Sequence, residues 1–102
     1  MKLMTKALEK RFAQIGSQEN STDPLIIAKF FNPCGGQTWY ATEFFSDKMF
    51  FGYVSLFGDH NDEWGYFSLE EMQQFRGNLG LGLERDLHFQ ECLASTIIGK
   101  DK

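Results

Sequence analysis

The chain has 102 residues and a formal net charge of −4, with 42% hydrophobic and 24% charged residues. A chain of this length forms one domain with a single small core, and its composition is typical of a globular protein rather than a disordered one. The negative charge argues against a protein that holds duplex nucleic acid mainly through its phosphates, because that affinity comes from clustered lysine and arginine.

No segment approaches the roughly 18 consecutive apolar residues that a membrane-spanning helix needs. Charged residues interrupt the first dozen positions, so this segment lacks the apolar centre of a signal peptide. We therefore expect a cytoplasmic protein without membrane contact, in which Cys34 and Cys92 are reduced thiols.

The N-terminal segment has the spacing of a short amphipathic helix over residues 5–15. Met4, Leu8 and Phe12 recur at helical intervals. Thr5 can cap the start of this helix and Gly16 can end it. The polar residues Ser17–Pro24 then predict a loop.

Four strand-like segments follow, separated by short polar turns, and the first turn has the composition of a hairpin loop. Consecutive strands with short links predict an antiparallel meander. The four segments are Leu25–Phe31, Thr38–Phe44, Met49–Phe57 and Glu63–Phe67.

Ser68 and Glu71 have the spacing of a capping box, which predicts a second short helix over about residues 68–76. Apolar and polar residues alternate over Leu83–Phe89, which predicts a fifth strand. Residues 90–102 are compatible with a helix or a tail. The sequence thus predicts one α+β domain over residues 1–102, in which an antiparallel sheet of about five strands carries one or two short helices on one face.

The segment Lys29–Ser68 holds thirteen of the sixteen aromatic residues, which is more apolar surface than one sheet face needs. Alternation places aromatic residues on both faces. On β-strand periodicity, Phe51, Tyr53 and Phe57 oppose Phe50, Val54 and Leu56, while Trp39 and Ala41 oppose Tyr40, Thr42 and Phe44.

Two short helices can cover only one of these faces. The other face is either covered by Leu93, Ile97 and Ile98 of the C-terminal segment or left open to bind a partner or a second copy. The sequence leaves both alternatives open.

The predicted fifth strand also carries polar candidates. Glu84, Asp86 and His88 would share a face, where they form either a solvated surface or a divalent-metal site. Arg85 would share its face with Leu83, Leu87 and Phe89, so it needs a partner, for which Glu43 and Glu71 are the candidates; an anion-binding role is the alternative.

The oxygen-rich segment Asp59–Glu63 does not meet the calcium-loop pattern and is interpreted as a hairpin tip.

Several segments together resemble a family of small bacterial proteins known as domain of unknown function 2958. They cover most of residues 1–90 in order: Met1–Thr5, Ala28–Phe31, Thr38–Phe44, Phe50–Val54, Gly65–Leu69, Arg76–Gly77 and Leu83–Leu87. The resemblance implies a protein often encoded on plasmids, phages and integrated elements, and it implies no particular activity. Position 88 is typically aromatic in this family, which implies that His88 fills a packing position, and the segment Asp59–Asp62 is longer than usual.

We therefore expect a non-enzymatic accessory protein of mobile-element type that binds another protein or itself, one version being an inhibitor of a host defence or restriction system. We expect no catalytic residue, metal or cofactor. The candidate binding residues are Trp39, Tyr40, Glu43, Phe51, Tyr53, Arg76, Glu84, Arg85 and Asp86.

The alternative is a small metal-dependent or acid/base hydrolase that uses Glu43, Glu84, Asp86 and His88. A weaker third hypothesis is a single-stranded nucleic-acid accessory protein, since stacked rings on a sheet can bind bases, but such sites also need a basic groove.

Overall fold

The structure is a computed structural model that describes residues 2–56 and 62–98. Strands predominate in the middle of the chain, with short helices at either end and after the last long strand. In chain order the elements are α1 (Lys6–Ile15), β1 (Leu25–Ile26), β2 (Ala28–Phe31), β3 (Thr38–Phe44), β4 (Met49–Ser55), β5 (Glu63–Ser68), α2 (Leu69–Gln74), a 3₁₀ turn (Asn78–Gly80), β6 (Glu84–Arg85), β7 (Cys92–Leu93) and α3 (Ala94–Ile97).

The main sheet has five antiparallel strands in the order β5-β4-β3-β2-β6. Strands β2 to β5 form the predicted meander, and β6 returns to pair with the free edge of β2. The predicted α+β class with a five-stranded antiparallel sheet is confirmed.

The first predicted strand, Leu25–Phe31, is divided at Ile27. There the backbone N–H of Ile27 donates to Ala41 O, and the chain leaves the main sheet. Strand β1 instead pairs with β7 in a separate two-stranded sheet, so the C-terminal segment is tied to the start of the meander.

The predicted strand over residues 83–89 is wrong beyond Arg85. Asp86 turns the chain, because its side chain accepts a hydrogen bond from the His88 backbone N–H at 2.9 Å. The interpretation of residues 90–102 as a helix or tail is replaced, within the described part, by β7 and α3. Phe57 and the predicted loop residues up to Asn61 lie outside the described residues.

Both predicted helix starts are observed. Thr5 Oγ1 accepts a hydrogen bond from Leu8 N at 3.1 Å, and Ser68 Oγ accepts one from Glu71 N at 3.2 Å. Helix α1 ends at Ile15 and is capped by Gly16, whose φ of 70° lies in the left-handed region that glycine adopts readily. Helix α2 ends at Gln74, two residues earlier than predicted, because Phe75 has extended backbone angles.

One face of the sheet packs against α1 and α2, as predicted. Phe50 is fully buried at its centre and contacts the rings of Phe12, Phe30, Phe44 and Phe67 at centroid distances between 4.7 and 5.9 Å. Met72 and Leu69 bring α2 onto the same core. We call this the helix-covered face.

A β-bulge interrupts β3 at Thr42. Ala41 pairs with Gly52, but the next pair is Glu43 with Phe51, so Thr42 is the extra residue. Its buried hydroxyl donates to Phe51 O at 3.1 Å. The predicted grouping of Phe44 with Tyr40 and Thr42 is wrong, since the bulge moves Phe44 onto the helix-covered face beside Phe50.

Among the helices in the described ranges, none combines the length and apolar character required to cross a bilayer.

Gly52 lies where two strands approach closely, and this contact gives a stability test. A Cβ at this position would overlap the carbonyl oxygen of Tyr40, which is a backbone atom and cannot rotate away. We expect Gly52→Ala to lower the free energy of unfolding by about 2–3 kcal/mol in urea denaturation.

The matched control is Gly65→Ala, which adds the same methyl group on the neighbouring strand, where nothing lies within 4 Å. We expect it to change stability by less than about 1 kcal/mol. Equal effects of the two substitutions would contradict this account of the sheet.

Candidate functional site

The sheet face opposite the helices carries a row of aromatic rings from β3, β4 and β5. Tyr40, Tyr53 and Trp64 are neighbours in register, and Phe51 and Tyr66 form the next pair along the sheet. We call this the aromatic face. Its two ends differ in what covers them.

The end at Tyr40 is covered by the segment that follows β6. The rings of Phe89 and Tyr40 are 6.5 Å apart. Burial, with the nearby Cys92 and Asp86 as smaller contributions, raises the pKa of the Tyr40 phenol. Tyr53 is only 5% exposed. The C-terminal segment therefore closes this end of the face.

The other end is open, and we call Phe45, Phe51, Trp64 and Tyr66 the open patch. Tyr66 is 67% exposed, although its ring lies 5.0 Å from Phe51 and 6.0 Å from Phe45. Phe51 and Trp64 are nearly parallel at 6.1 Å, whereas Phe51 and Tyr66 meet at 67°. The open patch thus presents ring surfaces in two orientations.

A cavity of about 560 Å³ lies between the open patch and the loop of residues 17–24. One wall consists of Phe51, Trp64 and Tyr66, and the loop contributes hydroxyl and amide groups on the other side. Its volume is within the range of small ligand sites in proteins.

Gln18 holds this loop against the sheet through three hydrogen bonds. Its Nε2 donates to Leu25 O at 2.9 Å and to Thr42 O at 2.8 Å, and its Oε1 accepts from Leu25 N at 2.7 Å. The side chain therefore joins the loop, β1 and the bulge in β3, and it fixes the shape of the cavity.

The cavity is acidic. Glu19 and Glu43 are among its lining residues, and none of its described lining residues is lysine, arginine or histidine. Glu43 pairs in register with Phe51, so its side chain lies on the aromatic face. This combination of rings and carboxylates suits a group with positive charge.

The residues predicted for binding fall into separate groups. Tyr40, Tyr53, Phe51 and Glu43 lie on the aromatic face, but only the latter two line the cavity. Trp39 lies on the helix-covered face, where its ring is 6.5 Å from Phe75. It is therefore part of the core rather than of this surface.

The second half of the predicted set lies elsewhere. Arg76 and Glu84 line a smaller cavity of about 450 Å³ near α2. The Arg76 guanidinium donates to Gln73 O and Phe75 O, so it satisfies carbonyls at the end of α2. Asp86 forms an ion pair with Lys29 at 3.7 Å.

Arg85 pairs in register with Phe30, which places it on the helix-covered face with Leu83. It is therefore not at the rim of the aromatic face. The expected shared face with Leu87 and Phe89 is wrong, because the strand ends at Arg85: Leu87 is 61% exposed, and Phe89 packs on Tyr40.

Residues proposed for the alternative hydrolase do not converge. Glu84 pairs in register with Phe31, which in turn pairs with Thr38 of β3. Glu43 lies five residues beyond Thr38, so Glu84 and Glu43 are about 15 Å apart along the strand direction. His88 is exposed in the turn after β6, so the expectation that it fills a packing position is wrong. In the described part of the chain, no group of three or more His, Cys, Asp or Glu side chains could hold a metal ion.

The structure shows which part of the surplus apolar surface is covered and which is open. The C-terminal segment does return to the sheet, where Ala94 is buried. However, Leu93 and Ile97, which would cover the aromatic face under one of the two alternatives, are 49% and 40% exposed. One end of the face is covered and the other remains open.

Cys34 and Cys92 are free thiols, as expected. Burial raises the pKa of the Cys92 thiol, which disfavours the nucleophilic thiolate.

Sequence reasoning missed three residues of this site. Trp64 and Tyr66 line the cavity, and alternation within Glu63–Phe67 could have placed both beside Phe51 and Tyr53. Gln18 carried no such signal, because its role depends on a loop that contacts β3 from 24 residues away.

A family model described as "Protein of unknown function (DUF2958)" matches residues 3–97. The chain belongs to this family. The match extends from before α1 to the end of α3, so it includes both the open patch and the loop that faces it. No curated protein and no solved structure matches the chain.

The Gln18 contacts predict a coupling between this loop and the sheet. Gln18→Ala removes three partly buried hydrogen bonds, so we expect it to lower the free energy of unfolding by about 2 kcal/mol. Hydrogen exchange of the Leu25 amide should accelerate more than that of amides within β4, because Leu25 N–H loses its acceptor.

Gln14→Ala serves as the control, since Gln14 is exposed on α1 and bonds only weakly to Arg11 at 3.4 Å. An unchanged Leu25 exchange rate in Gln18→Ala would show that the loop is held in another way.

Proposed function

We propose that this protein is a non-enzymatic accessory protein that binds another protein through the open patch. The observation that carries this proposal is Tyr66, which is 67% exposed at the end of a continuous series of ring contacts. Tyrosine and tryptophan dominate the energy of protein interfaces when a partner removes them from water. An exposed tyrosine beside the half-buried rings of Phe45, Phe51 and Trp64 therefore supports a contact surface.

The position of the patch also supports this proposal. Trp64 and Tyr66 belong to β5, which is an edge strand of the main sheet. Strand β4 is its only neighbour among the described strands, so a partner can approach the rings from the side as well as from above. Edge strands are also where proteins add contacts to the backbone of another chain.

The biological setting is part of the same proposal. We place the protein in the bacterial cytoplasm as an accessory factor of a mobile element, with inhibition of a host defence or restriction system as its most specific form. Membership in the DUF2958 family supports this setting through the genomic association that the family resemblance implies. The partner is then a protein of the host.

Tyr66 provides a sharper test than Tyr53, which is buried and whose replacement would damage the fold. We expect Tyr66→Glu to reduce recovery of specific partners from host lysate by about tenfold or more, because it places a charge within the contact. The measurement is affinity capture with quantitative mass spectrometry, followed by calorimetric titration of each purified partner.

Leu79→Glu is the matched control, since Leu79 is 89% exposed on the 3₁₀ turn and gains the same charge. Both variants should unfold within a few degrees of the parent protein. Partners that bind the parent and both variants equally would overturn the proposal. A dimer that depends on Tyr66 in sedimentation equilibrium would also overturn it, because the surface would then serve self-association.

A further inference from the structure

The covered end of the aromatic face contains an internal cation site. Lys29 Nζ lies 5.9 Å from the centre of the Tyr40 ring and 3.7 Å from Asp86 Oδ2. An ammonium group at this distance from a ring is attracted by the negative face of the ring, and the carboxylate adds a second favourable charge. Lys29 therefore supplies the cation for both the Tyr40 ring and the Asp86 carboxylate.

The open end of the aromatic face also combines a carboxylate with aromatic rings, but no lysine or arginine among the described residues lies with them. Glu43 and Phe51 are directly opposite in the β3–β4 ladder, and Phe51 is opposite Tyr66 in the next ladder. A carboxylate thus lies beside the rings of the open patch on one sheet face. Within the described residues, Glu43 takes part in no ion pair, and no basic residue lines the cavity.

The ring geometry also suits a cation. Phe51 and Trp64 lie within 13° of parallel, while Tyr66 meets Phe51 at 67°. Rings in two orientations can surround a cationic group with their electron-rich faces, as aromatic cages do. An anionic group would meet Glu19 and Glu43 instead, so the lining of the cavity disfavours it.

We propose that this cavity receives an arginine or lysine side chain presented by the partner protein. This proposal rests on the proposed function and adds the chemistry of the contact. Charge complementarity selects the occupant, because Glu19 and Glu43 are acidic and the whole chain carries a formal net charge of −4. At the covered end, Lys29, Tyr40 and Asp86 form a set of cation, ring and carboxylate. The partner's cation would form the same kind of set with the rings and carboxylate at the open end.

The first test uses the isolated protein and a matched pair of small probes. Nα-acetyl-arginine amide carries the guanidinium group, and Nα-acetyl-citrulline amide has nearly the same shape without the charge. We expect the arginine probe to shift the NMR signal of the Trp64 indole N–H with a dissociation constant of about 1 mM, and the citrulline probe to bind about tenfold more weakly. The Trp39 indole signal should not move, since Trp39 lies on the helix-covered face.

Glu43→Gln keeps the size of the side chain and removes its charge. We expect it to weaken binding of the arginine probe by about five- to tenfold and to leave binding of the citrulline probe unchanged. Glu70→Gln makes the same change in net charge on the exposed surface of α2 and should have no effect. Equal binding of the two probes, or binding that is insensitive to Glu43→Gln, would overturn the proposal.

The second test asks whether the cation belongs to the partner. The arginine probe, above its dissociation constant, should release the captured partner from the parent protein, whereas the citrulline probe should not. Probe binding without release would mean that the cavity takes a free cation, which would overturn the proposal. Capture that depends on Tyr66 but not on Glu43 would also overturn it and would leave the proposed protein-binding function intact.

Discussion

The β-bulge at Thr42 determines what each face of the sheet contains. Strict alternation along β3 would direct Glu43 toward the helices and Phe44 toward the aromatic face. Because Thr42 is the extra residue, the two side chains after it lie on the opposite faces: Phe44 packs on Phe50 in the core, and Glu43 lies opposite Phe51. One residue thus keeps a carboxylate out of the apolar core, where its burial would be costly, and places it beside the open patch. The buried Thr42 hydroxyl and the Gln18 amide hold the bulge by donating hydrogen bonds to the backbone carbonyls of Phe51 and Thr42.

The long helices and strands could be predicted from the sequence, but the bulge in β3, the division of the first strand and the early end of β6 could not. Helix α1 and its caps, strand β3 and the start of α2 follow from local signals: apolar spacing, a threonine or serine cap and a glycine at the end. The bulge left no such signal, since Thr42, Glu43 and Phe44 continue an ordinary strand pattern. The division of the first strand at Ile27 involves partners that are distant in the chain, namely Ala41 and the residues of β7. The end of β6 follows instead from the local hydrogen bond between the Asp86 side chain and the His88 N–H, which alternation did not indicate.

The surplus of rings could be counted from the sequence, but its distribution could not. Among the described residues, β1 pairs with the C-terminal segment over two residues only. Phe89 and the β7 region therefore cover Tyr40 and leave the rings nearer the loop of residues 17–24 open. Leu93 and Ile97 are exposed because the two-residue strand β7 is followed directly by α3, whose buried residue is Ala94.

The charged side chains considered for acid/base chemistry do not converge on one point in this fold. Catalysis by paired titratable groups needs such convergence on one reacting atom. Here several such groups instead attach the C-terminal segment to the rest of the chain: Arg11 bonds to Glu91 at 2.7 Å, Asp86 pairs with Lys29, and Asp23 accepts from Ser95 at 2.6 Å. The hydrogen bond from Arg11 lowers the pKa of Glu91, so this contact is retained at neutral pH and weakens only as the pH falls through that lowered value. Within the described residues, Glu43 takes part in no ion pair of this kind, and it lies opposite Phe51 in the open patch. A carboxylate beside the rings of the open patch, remote from Glu84 and Asp86, can attract a cation from outside the protein.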